Sequence, residues 1–272
     1  MPTNHAPLEV PPLRSSFVLT RTGQGRGFEV GRAGMLYRDL IPDRQGGRFI
    51  ASHILIPDGG PVPDYVHFHR VRLQVIYCYR GWVRVVYEDQ GPPFVMQPGD
   101  CVLQPPGIRH RVLECAPRLE VVEVACPAEY ETLADPELEL PTRQLQPDRD
   151  FEGQRFSRHE AAGGSFVPWR SPGLESRDLG IASATRGLAS ARVVRPRRPH
   201  EGRAPEAEFP PHAAELAFSF VLEGSATLCC ESQDSAEVSA GDAFVIPAGK
   251  QHALRGFSPD LELLVVALPS ER

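Results

Sequence analysis

The sequence has no apolar run approaching the roughly 20 residues a membrane-spanning helix needs. Its opening, Met1–Pro12, has no basic start followed by an apolar stretch, so neither a bilayer span nor a secretory leader is expected. Positive charge is also short: 29 Lys and Arg against 35 Asp and Glu leave a formal net charge of -6. That balance argues against a nucleic-acid or anionic-membrane partner. None of the six cysteines (Cys78, Cys101, Cys115, Cys126, Cys229, Cys230) forms a C-x-x-C pair, and most lie in apolar, strand-like runs. Buried free thiols in a reducing compartment, the cytoplasm, are the expectation. Helical patterning is nearly missing as well. Only Ala128–Ala134 reads as a short helix, and no helix-turn-helix candidate follows, so a DNA-binding regulator would need a second protein.

Proline (28) and glycine (24) are plentiful, and they fall as punctuation between short apolar runs. That pattern predicts an all-β barrel or sandwich. Strands are expected over Arg48–Ile56, Leu73–Tyr79, Val83–Tyr87, Asp100–Gln104, Arg111–Glu114 and Leu119–Ala125. A length of 272 residues favours two domains. The second half also repeats the first: Arg38-Asp39-Leu40 recurs as Arg177-Asp178-Leu179, and Gln74–Gly81 as Ala217–Gly224. Gly99-Asp100 with His110 recurs as Gly241-Asp242 with His252. The offsets stay between 139 and 143 residues, as a duplicated domain with small loop changes requires. The expected division is 1–135, an acidic and proline-rich linker at 136–150, and 151–272. Phe17–Leu40 and its counterpart Phe156–Leu179 are placed to add strands across the two halves, in a pseudo-two-fold monomer or homodimer.

The chemistry concentrates between Gly60 and His110. His67 and His69 are one residue apart, so in a strand both point to one side. Gln74 follows five residues on, and His110 comes after a second set of turns. Three imidazoles converging on one point suit Zn, Fe, Ni or Mn and leave coordination positions open. By the same alternation Ile76 and Cys78 should line a cavity with Gln74, while Val75, Tyr77 and Tyr79 pack outside it. Tyr65, two residues before His67, is the best further pocket candidate.

These residues resemble the cupin superfamily, and the whole chain resembles a bicupin. The first cupin motif, G-x5-H-x-H-x3,4-E-x6-G, is matched by His67, His69 and Gly81, with Gln74 where glutamate is usual and Pro61 where glycine is usual. The second, P-G-x5-P-x-G-x2-H, is matched by Pro98, Gly99, Pro105, Gly107 and His110. The resemblance implies two tandem double-stranded β-helix barrels, with one divalent transition metal in the first, held by His67, His69, Gln74 and His110. In the second half the corresponding positions read Pro210, His212, Ala217 and His252, so that barrel is expected to be degenerate and structural. His212 and His252 remain as inherited pocket residues.

Gln74 cannot act as a general base, and a site of three His and one Gln leaves the ion's charge uncompensated. A small, anionic, preferably bidentate substrate is therefore expected. A base must come from elsewhere; Glu114, Glu120 and Glu123 are candidates by position, and strand parity alone does not choose among them. The resemblance admits a mononuclear dioxygenase first, a non-oxidative isomerase, cyclase or lyase second, and a non-enzymatic binding protein third. His53 reads as a packing residue, and Trp82 and Trp169 as covers for apolar edges. Arg109 and Arg111 should point away from the ligands, and Gln104 has no assigned role. The basic run Arg195, Arg197, Arg198, His200 and Arg203 reads as a solvated loop.

Overall fold

A computed structural model describes residues 8–24, 27–197 and 206–269; Arg198, His200 and Arg203 of the basic run lie outside them. The chain folds into two antiparallel β-barrels. The first sets a seven-stranded sheet against a six-stranded one, and the second sets seven strands against four.

The expected strands form, with Leu73–Arg80 and Leu119–Cys126 at the centre of the first large sheet and Leu216–Glu223 and Glu262–Leu268 at the centre of the second. Alternation divides each central strand between two cores. Val75, Tyr77 and Tyr79 enter a cluster shared by both halves, where they meet Phe218, Phe220 and Leu222 of the repeated strand. Cys78 turns into the first barrel with Val85 and Met96. Phe218 and Phe220 are fully buried, and each contributes about 1.5–3 kcal/mol by leaving water. The large sheets thus stand back to back, and their shared face is the main seam of the molecule.

Strand exchange closes the seam. Val18–Thr20, from the start of the chain, pairs with Ala243–Val245 of the second barrel. Ser157–His159, from the start of the second half, pairs with Cys101–Leu103 of the first. The repeated Gly-Asp turns explain why that motif recurs. Gly99 and Gly241 have φ of 91° and 90°, a conformation that favours glycine. The Asp100 carboxylate accepts from Gln97 in its own turn and from Ala161 of the other half. Asp242 does the same with Ser239 and Thr22. Arg48 and Arg72 both donate to Glu215, adding a buried ionic contact between the halves.

One expectation fails. Residues 128–134 form no helix; Thr132–Ala134 is a strand paired with His67–His69. A free edge beside the histidine strand demands a partner, and this segment supplies it while turning Tyr130 inward. All six cysteines are free thiols, and only Cys229 is less than fully buried. No helix among the described residues is long and apolar enough to cross a membrane.

Candidate metal centre

His67 and His69 share a face of the strand His67–His69, and His110 opens the strand His110–Cys115 directly opposite His67. The fold thereby brings three rings from two strands to one point. Their centroids are 4.3–5.2 Å apart, and one nitrogen from each lies within 4.8 Å of the others.

Which nitrogen faces inward follows from the other. His67 Nδ1 is 2.8 Å from the Tyr65 carbonyl and His110 Nδ1 is 3.0 Å from the Ile108 carbonyl. A carbonyl only accepts, so both Nδ1 atoms carry the proton and both Nε2 atoms keep a lone pair. His69 Nδ1 is likewise engaged, 3.0 Å from Thr132 Oγ1. Burial lowers the basicity of all three rings, His69 to about 3, with each other's charge as a further cause for His69 and His110. At neutral pH they are neutral imidazoles, the form that binds metal. His67 Nε2 is buried without any hydrogen-bond partner. An orphan of that kind costs about 1–3 kcal/mol; a divalent ion bound by the three Nε2 atoms would relieve it. The donor set fits a metal.

Around the imidazoles runs a chain of polar contacts. Tyr130 Oη donates to Glu123 Oε1 at 2.6 Å, and Gln74 Nε2 donates to the same oxygen at 2.7 Å. Because the carboxylate takes the amide nitrogen, Gln74 Oε1 is turned the other way. There it accepts from Gln104 Nε2 at 3.0 Å, and that nitrogen lies 3.4 Å from His110 Nε2. Tyr87 Oη donates to Gln104 Oε1 at 2.6 Å. Burial raises the pKa of both tyrosines, and Glu123 adds to the rise at Tyr130, so both remain donors. Arg32 completes the rim, 2.6 Å from the buried carboxylate of Asp64, which also accepts from the Val112 amide.

The enclosed space is about 100 Å³, with Ile76, Val85, Met96 and Val121 among its apolar walls. Gln74 and Ile76 line it; Cys78 and Tyr65 do not. Cys78 lies deeper, its sulfur 3.8 Å from the Met96 carbonyl and its pKa pushed up to about 12 by burial. One further step of two residues along a strand moves a side chain nearly 7 Å, below the cavity floor. Tyr65 is 44% exposed, and its contribution is the carbonyl that orients His67.

Of the three glutamates, Glu123 faces the cavity. Glu120 pairs with His53 on the interdomain side, and Glu114 lies near Arg84 on the surface. His53 is also held by Arg38 and stays outside the pocket. Arg109 turns outward to Asp135 and over the Phe68 ring. Arg32, Tyr37 and Tyr130 were not singled out by the sequence, and Gln104 was named there without a role. Gln104 had a usable signal: it lies opposite in parity to Cys101 and Leu103, which enter the interdomain core.

The second barrel preserves the frame and changes the contents. His212 replaces His69, since Gly249 donates to its carbonyl as Gly107 does to that of His69. Ala217 replaces Gln74 on the same argument, with Ile246 in the place of Gln104. The first-histidine position was expected to hold Pro210. Strand register instead puts Phe209 opposite His252, as His67 stands opposite His110. Its ring stacks on His252 at 4.7 Å and 16°. An aromatic ring fills the coordination position, so this barrel offers two imidazoles and no third ligand. Among the described residues the only cluster of three or more potential ligands is His67, His69 and His110.

Residues 196–267 match the family described as a cupin domain. Solved structures align along nearly the whole chain. A mutant of Bacillus subtilis oxalate decarboxylase gives a TM-score of 0.64 at 11% identity, over 100% of this chain and 81% of that one. Lactobacillus farciminis oxalate decarboxylase in a formate complex gives 0.62 at 13%, over 96% and 87%. A Bacillus subtilis oxalate decarboxylase studied for its Mn(II) centres gives 0.59 at 13%, over 88% and 73%. The chain has the cupin fold, twice. A comparison with curated protein sequences gives no match. The cupin-domain match falls on the second barrel, which keeps two of the three imidazoles. At 11–13% identity the structural matches establish that bicupin fold and nothing finer.

Proposed function

We propose that this bicupin is a metal-dependent enzyme whose N-terminal barrel chelates a small organic anion and moves a proton on it through Glu123. The observation that carries the reading is the placement of Glu123. It is the one carboxylate lining the cavity among the described residues, and both of its hydrogen bonds, from Gln74 and Tyr130, go to Oε1. Oε2 is left to meet a substrate proton.

The three Nε2 atoms and Gln74 Oε1 would hold a divalent ion: Fe, Zn, Ni or Mn. When bound, that ion supplies positive charge that four neutral donors leave uncompensated, which favours a bidentate anion. The rest belongs to the chain. Arg32, anchored by Asp64, offers a second positive group at the cavity for the far end of the anion. The apolar walls keep water from Glu123. A volume of about 100 Å³ restricts the substrate to a few heavy atoms, such as a short dicarboxylate, a keto acid or a small dicarbonyl. The structural neighbours named oxalate decarboxylases act on an anion of that size, which supports the reading. It favours non-oxidative lyase or isomerase chemistry over the dioxygenase expected first, because a proton acceptor is built into the site. Oxygen-dependent cleavage of the same anion is the second reading, favoured by the apolar cavity floor.

Metal-loaded protein assayed against short dicarboxylates, keto acids and β-diketones, with and without oxygen, tests this. Turnover that survives removal of oxygen and falls at least about 100-fold in Glu123→Gln, with metal content unchanged, is expected. Turnover that requires oxygen establishes the second reading. A metal-loaded protein inert to the panel yet stabilised by one metabolite would contradict both.

A further inference from the structure

Of the two barrel cavities, the larger is in the barrel without metal ligands. It measures about 640 Å³ against about 100 Å³ in the first barrel, a size at which drug-sized ligands are bound. Its volume comes from shortened side chains at the equivalent positions: Ala217 for Gln74, and Ser219 for Ile76, which occupy matching places in the two sheet registers. By the same registers Val265 replaces Glu123, so the proton acceptor is gone. Phe244, Ile246, Leu254, Leu263 and Val265 give it mostly apolar walls, with the hydroxyls of Ser190 and Ser219 also on the lining.

The polar groups that remain converge. His212 Nδ1 accepts from the Ala214 amide, so the neutral ring carries its proton on Nε2. That Nε2–H is buried without a hydrogen-bond partner, and so is Nδ1 of His252. At the rim stands Arg170, exposed and without a carboxylate partner among the described residues. It follows the short strand Val167–Pro168 by two residues, as Arg32 follows Glu29–Val30, and the two short strands pair with equivalent partners. The duplication has therefore preserved an arginine at the mouth of both barrels while the interior changed.

We infer that the C-terminal barrel is a metal-independent binding site for an apolar organic acid, its body among Phe244, Ile246, Leu254 and Val265 and its anionic head between Arg170 and His212 Nε2. Burial lowers the pKa of both histidines, that of His252 to about 4, so at neutral pH Arg170 is the cation that selects the anion. The orphaned His212 Nε2–H and an arginine with no carboxylate partner among the described residues, both lining a mostly apolar cavity, describe a pocket shaped for an amphipathic guest. The inference does not rest on the chemistry proposed for the first barrel, and the second barrel is then more than a structural remnant.

The test titrates the full-length protein with 8-anilinonaphthalene-1-sulfonate, an apolar anion that fluoresces when buried, and with N-phenyl-1-naphthylamine, the same body without the charge. One anionic dye per chain is expected, displaced by decanoate and indifferent to EDTA. Arg170→Ala should weaken the anionic dye at least fivefold and leave the neutral one within twofold; Ala217→Phe should abolish both. Four results would overturn the inference: no saturable binding, binding lost with the metal, binding untouched by both variants, or a parallel loss of both dyes in Arg170→Ala. Should Ala217→Phe lose its native circular dichroism, Arg170→Ala, a surface change, decides alone.

Discussion

Replacing Gln74 by glutamate restores the residue usual in the first cupin motif, and tighter metal binding would be the simple forecast. The contacts of Gln74 forecast something different. Its Nε2 lies 2.7 Å from Glu123 Oε1, with both residues buried. In Gln74→Glu a second carboxylate oxygen would occupy that place. Two unit charges at that separation repel by about 6 kcal/mol at an effective dielectric constant of about 20. The pair therefore keeps one proton at neutral pH, its mutual repulsion raising the apparent pKa well above the ordinary carboxylate range. In the unfolded chain the added carboxyl titrates at about 4.3. A folded-state pKa above the unfolded one gives stability that is lost as pH rises towards the folded value. Between pH 6.5 and 8 the metal-free variant should lose about 2 kcal/mol, at about 1.4 kcal/mol per pH unit. The wild type lacks this loss: its three imidazoles are neutral when folded and titrate near 6.5 when unfolded, so its stability should rise over the same range, by about 0.4 kcal/mol per ring. Urea melts of metal-free protein across this range measure the difference. Added divalent metal should abolish the slope by displacing the shared proton. A variant whose stability follows the wild type across this range would refute the argument, since Glu123 could not then stand where the contacts put it.

Other outcomes follow from the same contacts. His69→Ala should lose bound metal and keep its fold, checked by elemental analysis beside circular dichroism. Glu215→Gln removes the negative charge that Arg48 and Arg72 share and turns one of its two acceptor oxygens into a donor; breaking a buried ionic contact should cost about 3 kcal/mol, a fall of roughly 5 °C in Tm by calorimetry. Burial opposes ionisation of Glu215, but the hydrogen bonds from the two arginines outweigh it and lower its pKa. Its contribution should therefore be present above the unfolded value and disappear in acid as pH falls through the folded one. Burial also lowers the pKa of His67, His69 and His110. Stability of the metal-free wild type should be full above the unfolded value of about 6.5 and decline below it, by about 1.4 kcal/mol per pH unit for each ring taking up a proton only on unfolding. Melts from pH 7 to 4 check this.

The barrels were legible because turns announce themselves. Gly99-Asp100 and Gly241-Asp242 mark equivalent corners, and alternation from Gln74 to Tyr79 separates the barrel interior from the seam. The three histidines were legible through spacing alone, since His67 and His69 share a face whatever the rest does. Glu123 was harder: Leu119–Cys126 is buried along its whole length, so no polar alternation reveals which side faces in. A single charge between Val122 and Val124 was the available clue. Tyr65 and Cys78 were misplaced because parity gives the side of a strand and says nothing of depth or of where a cavity ends. Phe209 was missed because a one-residue shift at the strand Glu206–Phe209 is visible in register and invisible in motif spacing. Thr132–Ala134 took its conformation from the edge it covers, a tertiary demand that its own residues do not encode.

Anomalous X-ray diffraction from crystals of protein purified without added metal tests the central claim most directly. The account predicts one peak per chain, among the Nε2 atoms of His67, His69 and His110, and none near His212 and His252. A peak in the C-terminal barrel, or three imidazoles turned apart around an ion-free N-terminal cavity, would contradict it.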